Sequence, residues 1–306
     1  MLFIISLISF IAINLAPNSF FASGELNPNI TPEAIEELKK IYGLDKPLYI
    51  QFFSWVYSIL QLDFGISFTS GEKVKEEILS RIPITLTINI VSMILIFIIS
   101  LYFGIKSAMK KNSIFDRFTN QLSLLSFSMP SFYLALVLVL VFSIKFELFP
   151  IAGLHSVPND GSLNYYLDFA WHLTLPIFII VFGGIGSLIL YIRALTIEIL
   201  KSDYIFFARA RGLDNKKILR YYILPNLYPP VITLLGLSLP GVIGGSVILE
   251  TIFSIDGMGL LFYQSALSHD YPVIMGILII GAFLTLIGNM FADLILLKLN
   301  PNYNEK

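Results

Sequence analysis

The sequence predicts an all-α integral membrane protein of about six transmembrane helices, with a small helical extracytoplasmic segment between spans 1 and 2. Three observations carry that expectation. Of 306 residues, 56% are hydrophobic and 13% are charged, about half the charged share of a soluble domain, and the mean hydropathy is +0.79. Five stretches, 84–105, 118–144, 173–192, 226–249 and 273–292, are apolar and free of formal charge inside, and each supplies the about 20 residues a helix needs to cross hydrocarbon. Basic residues, finally, collect in two of the connections and acids in the others.

The elements follow in chain order. Leu2 to Ala16 is a shorter apolar run, taken as the first transmembrane helix (1–16). The alternative, a signal-peptide core, lacks a basic leader and a small-x-small cleavage site. Residues 17–82 form the extracytoplasmic helical cap. There Thr31-Pro32-Glu33 supplies an N-cap, a first-turn proline and an acid for the helix dipole. Ile35, Leu38 and Tyr42 follow on one face, and Gly43 stops that helix. A second helix is expected from Pro47 to Leu62, with Phe52, Trp55 and Ile59 on one side, and a third from Glu72 to Ile82, with Val74, Ile78 and Ile82. Three short helices bury too little to stand alone, so the cap rests on the spans or the membrane surface.

Residues 83–297 form a five-span domain, and 298–306 a cytoplasmic tail. Pro130 kinks the third span. Gly241 and Gly245 make a GxxxG pattern that permits close helix approach in the fifth. Asn89 and Ser238 either face a polar pathway or bond between helices. The segment 106–117 carries four bases against Asp116, and 193–220 carries seven bases against three acids; both belong in the cytoplasm by the positive-inside rule. The acidic segments 145–172 and 250–272 lie outside with the cap, and both termini lie inside.

The segment 193–225 is the most informative. Helix-forming residues run to Arg211, where Gly212 can take the left-handed conformation that ends a helix. Asp214 can cap a new one, with Lys216, Lys217 and Arg220 suiting its dipole. Pro225 and Asn226 end that helix before the next span. The product is a cytoplasmic helix–turn–helix elbow with Ile218, Leu219 and Tyr222 on a docking face. On charge alone it could equally be a solvated basic loop that only orients the protein.

The wording decides between them. Ala208, Gly212 and Leu224-Pro225 stand at the spacing of the cytoplasmic loop of ATP-binding-cassette (ABC) importer permeases, with Phe206, Phe207 and Tyr222 replacing the usual Glu, Ala and Ile. DYIFFARARGL (203–213), ETIFSIDGMG (250–259), HDYPVIMG (269–276), LSFSMPSFYLAL (125–136), ITPEAIEELKKIYGLDKPLYIQF (30–52) and the closing Asn300-Pro301 resemble the dipeptide, oligopeptide and nickel permease subfamily, first of its two permease subunits. The resemblance covers nearly the whole chain. It implies a multi-pass protein of the bacterial inner membrane that imports di- or oligopeptides or a nickel chelate by alternating access. It implies as partners a paralogous permease, two ABC ATPase subunits, an extracytoplasmic solute-binding protein and membrane lipid. The elbow becomes the coupling loop, with Ala208, Arg209, Arg211, Gly212, Leu224 and Pro225 as the contact to the ATPase subunit. Phe206 and Phe207 either fill an apolar slot in that partner or pack under the elbow. Asp256 and Asp270 are candidate contacts to the binding protein, or caps of short helices. Members of the family carry more residues, often basic, before the first span; Met1 opens directly on apolar sequence, so a truncated first span is the expectation.

What the sequence lacks narrows the chemistry. There is no G-x-x-x-x-G-K-[ST] loop, so if ATP drives the chain another polypeptide hydrolyses it; the resemblance implies that the partner ATPase uses ATP and Mg and that this chain binds no cofactor and is not catalytic. Span interiors without ionisable groups oppose a proton-coupled carrier or an intramembrane enzyme. His155, His172 and His269 fall in separate outer loops without ligand spacing, so they read as ordinary surface or interfacial histidines and no metal site is expected. No cysteine is present and the net charge is −1, which leaves no thiol chemistry and weighs against a nucleic-acid partner. The rival functions are a secondary carrier that works alone and a membrane scaffold that transports nothing.

Overall fold

The structure, a computed structural model, describes residues 6–8, 10–11, 46–238, 241 and 246–299. Among them every regular element is a helix, and one isolated antiparallel bridge joins Ile66 to Lys73. The helices are α1 (Leu48–Leu60), α2 (Val74–Met109), α3 (Ile114–Ser128), α4 (Ser131–Leu138), α5 (Leu163–Leu200), α6 (Asp203–Ala210), α7 (Asn215–Ile218), α8 (Leu224–Ser238), α9 (Val247–Ile252), α10 (Met258–Leu267) and α11 (Tyr271–Leu299). Wide π turns extend α4 over Val139–Lys145 and join α7 to α8 over Leu219–Ile223. Helices α2, α5 and the Tyr271–Phe291 part of α11 are long and apolar enough to cross a membrane, and α3 with α4 make a fourth candidate as a pair bent by 99°.

The departures from the sequence expectation sit at prolines. The helix expected over 72–82 is not separate, because it runs through Pro83 into the next span as the 36 residues of α2. Proline removes one hydrogen bond, but a helix already nucleated loses less there than it would by starting again. The stretch 118–144, expected as one kinked span, is instead broken. Met129, before Pro130, is held extended (φ −88°, ψ 120°), as the clash with the proline ring favours. Of the stretch 226–249, helix is described as far as Ser238 and again from Val247, and residues 239–240 and 242–245 lie outside the described residues. Among the described residues an added Cβ at Gly241 would meet nothing within 4 Å; Gly245, the helix expected over 31–42 and residues 300–306 lie outside the described residues. Of the first apolar run, residues 6–8 and 10–11 are described, and they are helical.

The chain divides into two compact units. The first comprises 1–85, 243–250 and 256–286. Its core is Val74 and Ile78 of α2, Met258 and Leu261 of α10, and Val273 of α11. Gly276 lets α11 lie close to α2, since a Cβ there would come 2.7 Å from Val74 Cγ1. A second cluster gathers Phe52 of α1 with Phe10 and Met275.

The second unit comprises 86–242, 251–255 and 287–306. Here α2, α3 and α5 pack through small residues. A Cβ on Gly104 would lie 2.8 Å from Ile192 Cγ2, and one on Gly186 would lie 2.6 Å from the Ser123 carbonyl oxygen. Ser126 donates its hydroxyl to the Phe182 carbonyl across the same contact. The core runs from Phe97 and Ile105 of α2 through Ile192 of α5 to Ile205, Ile218, Ile223, Leu227 and Val231. The last five belong to the segment that begins at α6, so that segment is built into the unit.

Candidate functional site

The segment after α5 folds as the elbow the sequence predicts. Helix α6 ends in a paired closure. Gly212 N–H donates to the Arg209 carbonyl at 2.9 Å and Leu213 N–H to the Ala208 carbonyl at 3.2 Å. Gly212 sits at φ +80°, the left-handed conformation such a closure needs and glycine alone takes without strain. Asp214 then caps α7, its carboxylate accepting from Lys217 N–H at 3.0 Å. The second arm does not stop at Pro225. It continues through the Leu219–Ile223 π turn into α8. Proline deprives the Tyr221 carbonyl of its usual partner, and that carbonyl lies within the turn where the bonding pattern has already shifted.

Burial sorts the elbow's residues into two faces. Ile205, Ala208, Ile218 and Ile223 are buried, and Leu224 is half-buried against the same core. Of the residues predicted to couple, then, Ala208 and Leu224 hold the elbow to the unit. Arg209, Arg211, Gly212 and Pro225 are exposed. Phe206 and Phe207 are 69% and 61% exposed, edge-to-face at 5.7 Å between ring centres, and do not pack beneath the elbow. Two neighbouring phenylalanines left bare on one face is unusual for a surface that meets only water.

One group near the elbow was not foreseen. Arg193, at the end of α5, clamps Asp116 of α3 with two hydrogen bonds, 2.7 Å and 2.9 Å. Asp116 also accepts from the Ser107 hydroxyl and from Asn112 N–H at 2.8 Å. The ends of three helices are thereby pinned together. Charge counting placed Asp116 and Arg193 in different connections, and nothing local in the sequence announces a pair 77 positions apart.

The acids of the first unit differ in use. Asp256 is exposed and accepts from Arg81 Nε at 2.7 Å. Asp270 is buried, accepting from the Ser67 hydroxyl at 2.5 Å and Thr69 N–H at 3.0 Å, so its carboxylate is not presented outward. Glu250 is buried beneath the 257–260 turn and accepts from Leu260 N–H at 2.8 Å. Burial pushes its carboxyl above the ordinary value against the pull of the amides of Leu260, Ser246 and Gly259. In the second unit, two of the three histidines converge where separate surface sites were expected. His155 Nδ1 and His172 Nδ1 lie 3.7 Å and 3.5 Å from the Asp168 carboxylate, His172 is buried, and His155 stacks on Tyr165 at 3.9 Å. Among the described residues no group of three potential ligands could hold a metal ion.

Comparison with known proteins agrees with this architecture. Residues 100–305 match the family described as the binding-protein-dependent transport system inner membrane component, and residues 1–89 match its N-terminal membrane component. The chain is 35% identical over 298 residues to the oligopeptide transport system permease protein AppB of Bacillus subtilis, covering 97% of this chain and 93% of that one. It is 32% identical to the dipeptide permease DppB of Lactococcus lactis, over 98% of this chain and 94% of that one. It is 31% identical to the metal-staphylopine import permease CntB of Staphylococcus aureus, over 91% and 85%. Among solved structures, an inward-facing form of the MetNI methionine ABC transporter superposes with a TM-score of 0.57, at 17% identity, over 73% of this chain and 96% of that one; the likeness is one of fold.

Proposed function

The chain belongs to the family of inner-membrane components of binding-protein-dependent transport systems, and on that premise we propose that separate ATPases drive it through the elbow at 193–225. It is a multi-pass permease subunit of an ABC importer. In the proposed assembly it lines half of the pathway beside a paralogous permease, above two ATPase subunits and below an extracytoplasmic solute-binding protein. Six spans, a cytoplasmic elbow and an outer cap over 17–82 fit the charge asymmetry of the connections. The cargo is a di- or oligopeptide or a small metal chelate, the classes for which its relatives are named.

The observation that carries this reading is the two-faced elbow. Its inner face, Ile205, Ile218 and Ile223, is fused to Phe97 of α2 and Ile192 of α5. A push on the outer face therefore moves the long helices with it, because packed interiors transmit displacement. Phe206, Phe207, Arg209 and Arg211 supply that outer face with aromatic rings and donors, residue types enriched in protein interfaces. Asp256, exposed at the start of the 257–260 turn, is the candidate contact for the binding protein.

Affinity purification from the native membrane, with mass spectrometry of the chains recovered, tests the reading. A second permease and P-loop ATPases are expected with this chain. Phe206→Ala with Phe207→Ala removes the ATPases, and Gly212→Pro does the same by denying the +80° turn its conformation, both with membrane abundance unchanged. Recovery of the chain alone, still moving solute in ATP-free vesicles, would establish a stand-alone carrier instead.

A further inference from the structure

A cleft of about 580 Å³ opens in the second unit between α2, α5 and α8, within the roughly 300–1,000 Å³ range of solute-sized pockets. Each helix gives it one stripe. Asn89, Ser92, Met93, Ile96 and Phe97 line it from α2, one face at helical spacing. From α5 come Gly184, Ser187, Leu188 and Tyr191, and from α8 Leu234 and Ser238. The other face of α2 is different in kind, with Val91, Ile94, Leu95 and Ile98 all exposed and all aliphatic. That contrast separates two surroundings. Aliphatic side chains suit lipid, whereas hydroxyls and an amide gathered from three helices do not.

The polar groups of the cleft share one property. Asn89, Ser92, Ser187, Tyr191 and Ser238 are all uncharged, and among the described residues the lining holds no carboxylate, amine, guanidinium or imidazole. Ser92 is buried, and its hydroxyl has no hydrogen-bond partner among the described residues. Neutral donors and acceptors between apolar side chains match the amide N–H and C=O groups that recur along any peptide. They include no imidazole, the ligand that suits nickel ion. A further link makes the cleft responsive. Met93, Phe97, Leu188 and Leu234 line it and also pack in the core that holds Ile205, Ile218 and Ile223 of the elbow. Movement of the elbow thus reaches the wall of the cleft through direct contacts.

We propose that this cleft is the chain's wall of the solute pathway, and that it passes peptide backbone through the uncharged groups of Asn89, Ser187, Tyr191 and Ser238 and does not take bare nickel ion. The proposal rests on the transport function above and adds to it the residues and the chemistry of passage. A second permease helix is the competing occupant. Small and hydroxyl-bearing residues also line helix–helix seams, so the width of the slot, about 580 Å³, is what favours a solute, and cross-linking separates the two occupants.

The chain has no cysteine, so single thiols can be placed in it without first removing others. Ser187→Cys, Ser238→Cys and, on the lipid-facing side of α2, Ile98→Cys are made in the complete transporter with its binding protein and ATPases. Each is treated with a membrane-impermeant methanethiosulfonate during ATP-driven uptake of short neutral peptides. Labelling of this chain is read by mass spectrometry. The thiols at 187 and 238 are expected to react, with loss of uptake relative to the same variant untreated. Peptide in excess slows that reaction, nickel ion alone does not, and the thiol at 98 stays unmodified in a transporter that works. Uptake indifferent to labelled thiols at 187 and 238 would overturn the proposal, as would cross-links from those thiols to the second permease, or protection by nickel ion equal to that by peptide. Absence of ATP-driven uptake by the unsubstituted complex is a distinct result, which refutes the transport reading itself.

Discussion

Asp116 and Arg193 show what single residues contribute here. Asp116 is 3% exposed, and its charge is matched by a guanidinium at 2.7 Å. Removing Asp116 leaves the Arg193 guanidinium, 21% exposed, without its carboxylate, a loss between the about 1 kcal/mol of an exposed pair and the about 3 kcal/mol of a buried one. Asp116→Ala should therefore lower the thermal midpoint of the purified transporter more than Asp116→Asn, which keeps two bonding atoms. Equal midpoints for both variants and the native protein would show that the clamp contributes nothing. Such a pairing is invisible in the sequence, because the partners belong to different helices and each looks like an ordinary charge at a span end. The same holds for His155, whose place beside Asp168 depends on the path of the 145–162 loop. Gly212 and Asp214 are the opposite case. Their roles follow from the conformational freedom of glycine and the capping geometry of aspartate, and the φ of +80° and the bond to Lys217 N–H agree with what the sequence predicts. For Phe206 and Phe207 the sequence left two placements open, and only burial distinguishes them.

Among elements, α3 and α5 of the second unit meet backbone against backbone. A methyl group on Gly186 would meet the Ser123 carbonyl at 2.6 Å, Ser126 Oγ at 2.8 Å and Phe127 N at 3.0 Å. Two of these are backbone atoms, which cannot swing aside. Overpacking of this kind costs about 1–3 kcal/mol, so Gly186→Ala should reduce the amount of folded protein recovered, while Gly183→Ala, where nothing lies within 4 Å, should not. Equal recovery of both would mean that α3 and α5 slide apart at little cost. Element type was legible throughout this region, since length and apolarity leave helix as the only way to satisfy the backbone. Continuity was not. Pro83 and Pro130 carry the same local preference, yet α2 runs through one and the chain turns by 99° at the other. What separates them is tertiary packing around each site, which a single sequence does not display.

For the molecule as a whole, the account is that one core serves both ends of a machine. Phe97, Leu188 and Leu234 line the cleft and belong to the cluster that holds the elbow's Ile205, Ile218 and Ile223, so the elbow and the cleft share one core, the route along which the proposed ATPase would act on the proposed pathway. Membership of the transport family was legible from the motifs at 203–213, 250–259 and 269–276. The cleft was legible only as two isolated polar residues, Asn89 and Ser238, because assembling it requires three helices whose order in space the sequence does not state. The central claim is that the exposed face of the elbow meets a separate ATPase. Its most direct measurement places a photoreactive benzophenone amino acid at Phe207 in the native membrane and identifies what it captures. The account predicts a covalent product with a P-loop ATPase, formed at Phe207 and absent when the same residue replaces Ile98. A transporter that imports with ATP yet yields only lipid adducts at Phe207 would contradict it.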